Sequence, residues 1–322
     1  MTSAATDADN PQTDDRFQTA RTLFFVIGAQ KSGTTWMSKF MHDHPQIAVP
    51  AWKETNYWNI AEGWADVDYR LVAHQSKRDS ESPIYTRFRE IFRRESRAKD
   101  KAVTRALAAA RNPAAPHGEY ADLLFSDQAK TAQAHGELCP QYALLKPETY
   151  REMSQLGPNV RFIFIMRDPV ERFISGVRHT LRKSLGRENV TQDAISKGVV
   201  ETLNAPKSLA LRRSDYRLTI TDLEQHVPQS HIAYFFYETF FDQNEVQRLC
   251  TFLGVDHVTA DVGRQVHKGA GSEAKVTQAD KARIAGHLSE VYPFMRERFG
   301  DRIPEKWHAS EALIAEGARA AG

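Results

Sequence analysis

The residues Gly28-Ala29-Gln30-Lys31-Ser32-Gly33-Thr34-Thr35-Trp36 follow the apolar run Leu23-Phe24-Phe25-Val26-Ile27 and lead into a helical pattern. That order predicts a strand, a short loop and a helix N-terminus. Free backbone N–H groups and the positive end of the helix dipole make such a turn an anion site before any side chain is counted. The lysine position then narrows the chemistry. In the ATP-binding pattern G-x-x-x-x-G-K-[ST], Lys follows the second Gly and reaches the β- and γ-phosphates, and the next hydroxyl holds Mg²⁺. In this chain Lys31 precedes Gly33, and Thr34 stands where that lysine would be. The loop still suits a phosphate, held by N–H groups and Thr hydroxyls, but its one cation sits at the mouth, beside the atom to be transferred. This argues against an ordinary ATPase or kinase.

A second site begins at the most apolar run of the chain, Phe162-Ile163-Phe164-Ile165-Met166, which ends in Arg167-Asp168-Pro169 and continues as a helix carrying Arg172 and Ser175. A near-continuous apolar run reads as a parallel strand buried on both faces, and ligands of such sheets gather at the strand C-termini. Arg167 is therefore expected in that crevice, with the Ser175 hydroxyl about two helical turns further on. The plainer reading makes Asp168 a helix cap and puts Arg167 in a structural ion pair. A third run, Ile232-Ala233-Tyr234-Phe235-Phe236-Tyr237-Glu238, reads as another buried strand, followed by a helix over Glu245–Leu253 stopped by Gly254. Strand and helix alternate throughout. The predicted architecture is α/β, a three-layer α/β/α arrangement with a central parallel sheet, resembling the nucleotide-kinase-like P-loop fold.

Lys31-Ser32-Gly33-Thr34-Thr35-Trp36, in its strand-to-helix setting, resembles the 5′-phosphosulfate loop of the sulfotransferase family. The strand ending in Arg-Asp-Pro with Ser eight residues after Arg looks like the family's 3′-phosphate site, which distinguishes 3′-phosphoadenosine-5′-phosphosulfate (PAPS) from ATP. The resemblance implies that Ser32, Gly33, Thr34 and Thr35 hold the 5′-phosphate. Arg167, Ser175 and Lys268 would hold the 3′-phosphate, and Tyr237 would lie against the adenine with Trp36 flanking it. His267-Lys268-Gly269 is similar to the family's Arg-Lys-Gly loop over the 3′-phosphate, with His in place of Arg. Lys31 is assigned to the sulfuryl group and the bridging oxygen. Glu54, in Lys53-Glu54-Thr55-Asn56-Tyr57-Trp58, matches the proposed base of carbohydrate-acting members, although Asn56 stands where some carry His. Read alone, Glu54 is an exposed loop carboxylate paired with Lys53. His74, His117 and His135 lie in the interval from which other members draw a His base. Gly136-Glu137-Leu138-Cys139-Pro140-Gln141-Tyr142 is similar to a glycan-sulfotransferase segment in which some members place Lys at the position of Leu138.

The implied reaction moves a sulfuryl group from PAPS to a hydroxyl of a sugar, glycolipid or hydroxylated metabolite, releasing 3′,5′-phosphoadenosine (PAP). The alternatives are a P-loop kinase in which Asp168 holds Mg²⁺, and a non-catalytic nucleotide-binding protein. No pattern resembles a metal site, since His42 and His44 are two residues apart and cannot share a helical face. With 43 basic against 41 acidic residues the chain lacks the basic excess of a nucleic-acid binder. Two cysteines give no disulfide framework, and no run approaches a membrane span, so a cytoplasmic setting is expected. Residues 1–20 are polar and read as a disordered tail, 21–307 as one domain with a helical acceptor-side insertion near 59–135, and 308–322 as a helical tail. Nothing in the sequence fixes an oligomeric state. Within the insertion, Ser82-Pro83 caps an expected helix with Ile84, Phe88 and Phe92 on one face. A basic run from Arg93 to Lys101 follows.

Overall fold

The computed structural model describes residues 13–50, 52–64, 105–106, 108–110, 117–125, 131–263 and 274–315. Five strands form one all-parallel sheet: β1 Thr22–Gly28, β2 Ile47–Ala48, β3 Ala134–Leu138, β4 Val160–Met166 and β5 Ile232–Phe236. Their order is β2-β3-β1-β4-β5. The described helices are α1 Asp15–Thr19, α2 Thr34–Asp43, α3 Tyr57–Ala61, α4 Gly118–Leu124, α5 Pro147–Ser154, α6 Pro169–Leu185 and α7 Gln192–Asn204. They continue as α8 Leu209–Ser214, α9 Tyr216–His226, α10 Tyr237–Phe240, α11 Gln243–Leu253, α12 Gln278–His287, α13 Val291–Phe299 and α14 Lys306–Glu311.

Alternation along the strands separates two cores. Leu23, Phe25 and Ile27 of β1 join Phe162, Phe164 and Met166 of β4 on one face, packed by α5, α6, α9 and α13. Phe24 and Val26 join Ile163, Ile165 and Phe235 on the other, packed by α2 and α11. All seven residues of β1 are buried, as two covered faces require. This is the expected three-layer α/β/α sandwich.

The strand order also places the site. The chain leaves β1 toward β2 and β3 on one side and reaches β4 and β5 on the other, so the order reverses between β1 and β4. In an open parallel sheet a crevice opens at such a reversal, outside the strand C-termini. Gly28, Met166 and Phe236, the last residues of β1, β4 and β5, line that edge.

The ends of the chain differ in part from expectation. Asp15–Thr19 is helical and Phe17 is fully buried, so order begins before the boundary expected at Ala20. Phe17 packs edge-on to Phe125 at 5.5 Å, and that apolar contact outweighs the polar composition around it. Residues 1–12, the helix expected from Ser82, the basic run and residues 316–322 lie outside the described residues. No helix among the described residues is long and apolar enough to cross a membrane.

Candidate active site

The loop after β1 turns through two left-handed residues, Lys31 at φ 74° and Gly33 at φ 87°. Gly33 is the N-cap of α2, whose first turn contains Thr34, Thr35 and Trp36. A Cβ at Gly33 would stand 3.1 Å from Tyr237 Cδ2 and 3.1 Å from Phe241 Cζ. The glycine therefore serves both the turn and the close approach of two aromatic rings. Ser32 is fully buried, and its Oγ has no hydrogen-bond partner among the described residues. A buried hydroxyl left unpaired costs about 1–3 kcal/mol, and a phosphate oxygen in this loop would satisfy it. The loop thus fits the expected anion.

Arg167 leaves the end of β4 toward the same loop. The Tyr216 hydroxyl donates to the Arg167 carbonyl at 2.8 Å and accepts from its N–H at 3.3 Å, which fixes the backbone there. The guanidinium donates to the Lys31 carbonyl at 3.3 Å and lies 4.8 Å from the centre of the Tyr237 ring. Its ion pair with Glu171 is loose, at 3.9 Å. Lys31, Gly33, Arg167 and Tyr237, expected from three separate segments, therefore meet at one place. Ser175 is on α6, about 9 Å along the axis from its first residue.

Asp168 faces away from them. Its Oδ1 accepts from Glu171 N–H at 2.9 Å as the N-cap of α6 and from Ser310 Oγ at 3.0 Å, while Oδ2 accepts from Tyr292 at 3.4 Å. Burial pushes this carboxyl up to about 7. These partners correct the Mg²⁺-holding role that the kinase alternative gave Asp168, since Oδ1 caps α6 and Oδ2 takes the Tyr292 hydroxyl inside the fold. Among the described residues no three His, Cys, Asp or Glu side chains gather as a metal cage.

Glu54 lies on the turn between β2 and α3. It is left-handed, at φ 57°, as is Asn56 at φ 54°. Asn56 Nδ2 donates to the Glu54 carbonyl at 2.9 Å, which closes the turn. The pairing of Glu54 with Lys53 spans 4.0 Å on side chains 41% and 35% exposed, a contact that holds neither in place. Lys53 instead donates to Thr35 Oγ1 at 3.3 Å, so a second cation stands at the N-terminus of α2. Burial lowers the proton affinity of Lys31, Arg182, Arg167 and Arg172 lower it further, and Glu54 opposes them. The loop mouth is cationic, with the Glu54 carboxylate as its counterweight.

Trp36 packs within the fold. It is 7% exposed, stacks on Phe40 with 5.7 Å between ring centres, and donates its indole N–H to the Asp261 carbonyl at 3.1 Å. It is a core aromatic of the α2 face, and it lends an edge to a cavity of about 210 Å³ shared with Phe40 and Val258–Asp261. Thr34 is buried and Thr35 exposed at the first turn of α2. Lys268 and Gly269 lie outside the described residues.

The sequence reading missed Lys53, Arg182 and Tyr216 as site groups. Arg182 had a signal, because Arg172, Ser175, His179 and Arg182 are spaced three, four and three apart, one face of a helix. Tyr216 and the Lys53–Thr35 contact join residues remote in sequence and had none.

Residues 24–259 match the family profile described as "Sulfotransferase family". None of the curated protein sequences matches the chain. Among solved structures, a sulfotransferase from Alicyclobacillus acidocaldarius is similar at 18% identity and a TM-score of 0.55, over 90% of this chain and 99% of that one. The sulfotransferase domain of the Synechococcus PCC 7002 olefin synthase aligns at 15% identity over 98% of each chain, with a TM-score of 0.47. A sulfotransferase domain of the curacin biosynthetic pathway aligns at 15% identity over 80% of each, with a TM-score of 0.46. With the profile covering most of its length, the chain belongs to the sulfotransferase family.

Proposed function

We propose that this sulfotransferase takes its sulfuryl group from PAPS and delivers it to a hydroxyl of a sugar, glycolipid or hydroxylated metabolite, with Glu54 as base. The observation that supports the reading is the convergence of Lys31, Arg167 and Tyr237 on the Gly33 turn, with the Glu54 carboxylate near enough to oppose the cations around Lys31 electrostatically. The donor supplies an activated sulfuryl on a good leaving group. The chain's residues do the rest by positioning and by meeting charge as it develops. Ser32, Thr34, Thr35 and the N–H groups of the loop suit the 5′-phosphate, and Lys53 adds a charge there. Arg167, Ser175, Lys268 and Gly269 are assigned to the 3′-phosphate. Tyr237 offers a ring face to the adenine, and Trp36 contributes through the edge it lends to the neighbouring cavity.

In the transfer itself, the acceptor oxygen bonds to sulfur as the bridging oxygen leaves in line, and Glu54 takes the acceptor's proton. Lys31 stabilises the negative charge on the departing oxygen. A sulfuryl group carries less charge than a γ-phosphoryl, so two cations at the loop mouth suffice. The sugar or glycolipid preference rests on Lys53-Glu54 and the 137–142 segment. Family membership and the capped Asp168 leave nothing in favour of the kinase or non-catalytic alternatives.

The test is Glu54→Gln. Losing a general base costs about 10²–10⁴-fold in kcat, with PAP affinity unchanged by calorimetry. Unchanged turnover would remove Glu54 from the mechanism.

A further inference from the structure

Glu137, on β3, is 2% exposed, and among the described residues its carboxyl is held by hydroxyls and not by an ion pair. Three hydroxyls donate to it: Thr55 Oγ1 to Oε2 at 2.7 Å, Tyr142 to Oε1 at 2.6 Å, and Tyr120 to Oε1. Burial pushes this carboxyl up, and the three donors pull it back. Two of the hydroxyls carry the interaction onward. Thr55 Oγ1 accepts the backbone N–H of Tyr57 at 3.2 Å, and the Tyr142 hydroxyl accepts that of Trp58 at 3.4 Å. These are the first two N–H groups of α3, the donors that a helix start leaves unpaired. The buried carboxylate thus fixes the start of α3 through two hydroxyl relays.

Thr55 is also the residue between Glu54 and Asn56, the two left-handed positions of the turn. Such backbone persists only where its surroundings over-determine it, and here the clamps are identifiable. One is the Thr55–Glu137 bond, another the Asn56 side chain on the Glu54 carbonyl. A third is the Cys139 thiol on Asn56 Oδ1 at 3.1 Å. Glu137 is the penultimate residue of β3 and Cys139 directly follows the strand, so the end of β3 and the residue after it hold the turn. Tyr57, next along, is stacked on Tyr120 at 4.1 Å and bonded to His117 at 2.7 Å. The Glu54 side chain is left as the half-exposed part of a rigid turn.

We propose that Glu137 is a positioning residue for this sulfotransferase: acting through Thr55, it holds the Glu54 carboxylate at the angle and distance that proton removal from the acceptor requires. It touches no substrate. The inference rests on the reading of Glu54 as base, and the test separates the two.

The perturbation is Thr55→Val, which removes one hydroxyl from the relay, beside Thr55→Ser, which keeps it, and Glu137→Gln as a second route. Each is made in the wild type and in Glu54→Gln. The readouts are release of radiolabelled sulfuryl from PAPS, PAP affinity by calorimetry, and the crystal structure with PAP bound. A base displaced by about 1 Å loses on the order of 100-fold in rate. Thr55→Val and Glu137→Gln are therefore expected to lower kcat about 10- to 100-fold, with PAP affinity within about twofold and Thr55→Ser near wild type. In the Glu54→Gln background Thr55→Val should cost nothing further, because the group it positions is already gone. In the crystal the Glu54 carboxylate should be displaced while the 31–36 loop is unmoved. Equal losses in both backgrounds, failure of Ser to rescue, a parallel loss of PAP affinity, or an unmoved Glu54 would each overturn the proposal. If Glu54→Gln alone leaves turnover intact, it is the base assignment that fails.

Discussion

Replacing Gly33 by alanine separates the two demands made on that residue. At φ 87° and ψ 6° an L-residue pays the left-handed penalty, about 1–2 kcal/mol. The new Cβ would also stand 3.1 Å from ring atoms of both Tyr237 and Phe241, closer than ordinary contact. Each ring must shift by a few tenths of an ångström, and overpacking of this kind adds about 1 kcal/mol or more. The expected cost is about 2–3 kcal/mol, read by urea unfolding as a lower midpoint with an unchanged slope. Gly63 provides the control, since it has φ 79° and nothing within 4 Å of an added Cβ. Gly63→Ala should therefore cost only the backbone share, about 1–2 kcal/mol. A displaced Tyr237 also disturbs the Arg167 guanidinium above its ring, so Gly33→Ala should weaken PAP binding while Gly63→Ala does not. Equal costs for the two variants, with PAP affinity intact in both, would refute the account of the Gly33–Tyr237 contact.

Other consequences follow from single contacts. Lys53→Ala should weaken PAP binding about threefold to tenfold, the scale of one partly exposed charge-assisted bond, and the deficit should shrink in high salt. Calorimetry at two salt concentrations checks it. Asp168, raised from an ordinary 3.8 to about 7, gives stability that is fully present below the unfolded value and is lost as pH climbs to about 7. The ceiling is about 4 kcal/mol at 1.36 kcal/mol per unit. Asp168→Asn, which keeps an acceptor for the Glu171 N–H, should flatten the stability profile between those values in urea titrations, and an unchanged profile would mean that Asp168 ionises freely in the fold.

The parts of this molecule legible in the sequence are those that a local pattern encodes. Leu23–Ile27 and Phe162–Met166 read as buried strands because both faces are covered, and Gly33 marks the turn because glycine takes a positive φ without strain. The phosphate-loop letters and Arg167 come at strand ends, where a parallel sheet presents its ligands. The Asp168 cap, offered by the sequence as one of two readings, is present. What stayed hidden depends on contacts between distant segments. Tyr216 reaches Arg167 across 49 positions, and Thr55 reaches Glu137 across 82. No periodicity records either. The core packing of Trp36 was hidden for the same reason, because Phe240 and Asp261, which enclose it, belong to the other half of the chain. Phe17 likewise gives no local sign that its polar surroundings fold onto Phe125 and Tyr120.

The central claim is that the crevice between β1 and β4 recognises a 3′-phosphorylated nucleotide. Calorimetry of PAP beside AMP and ATP, in the wild type and in Arg167→Ala, tests it most directly. The account predicts a strong preference for PAP, about 10-fold or more for a charge-assisted pair, which Arg167→Ala abolishes while AMP binding is little changed. Equal or tighter binding of ATP, or a PAP preference that survives Arg167→Ala, would contradict it.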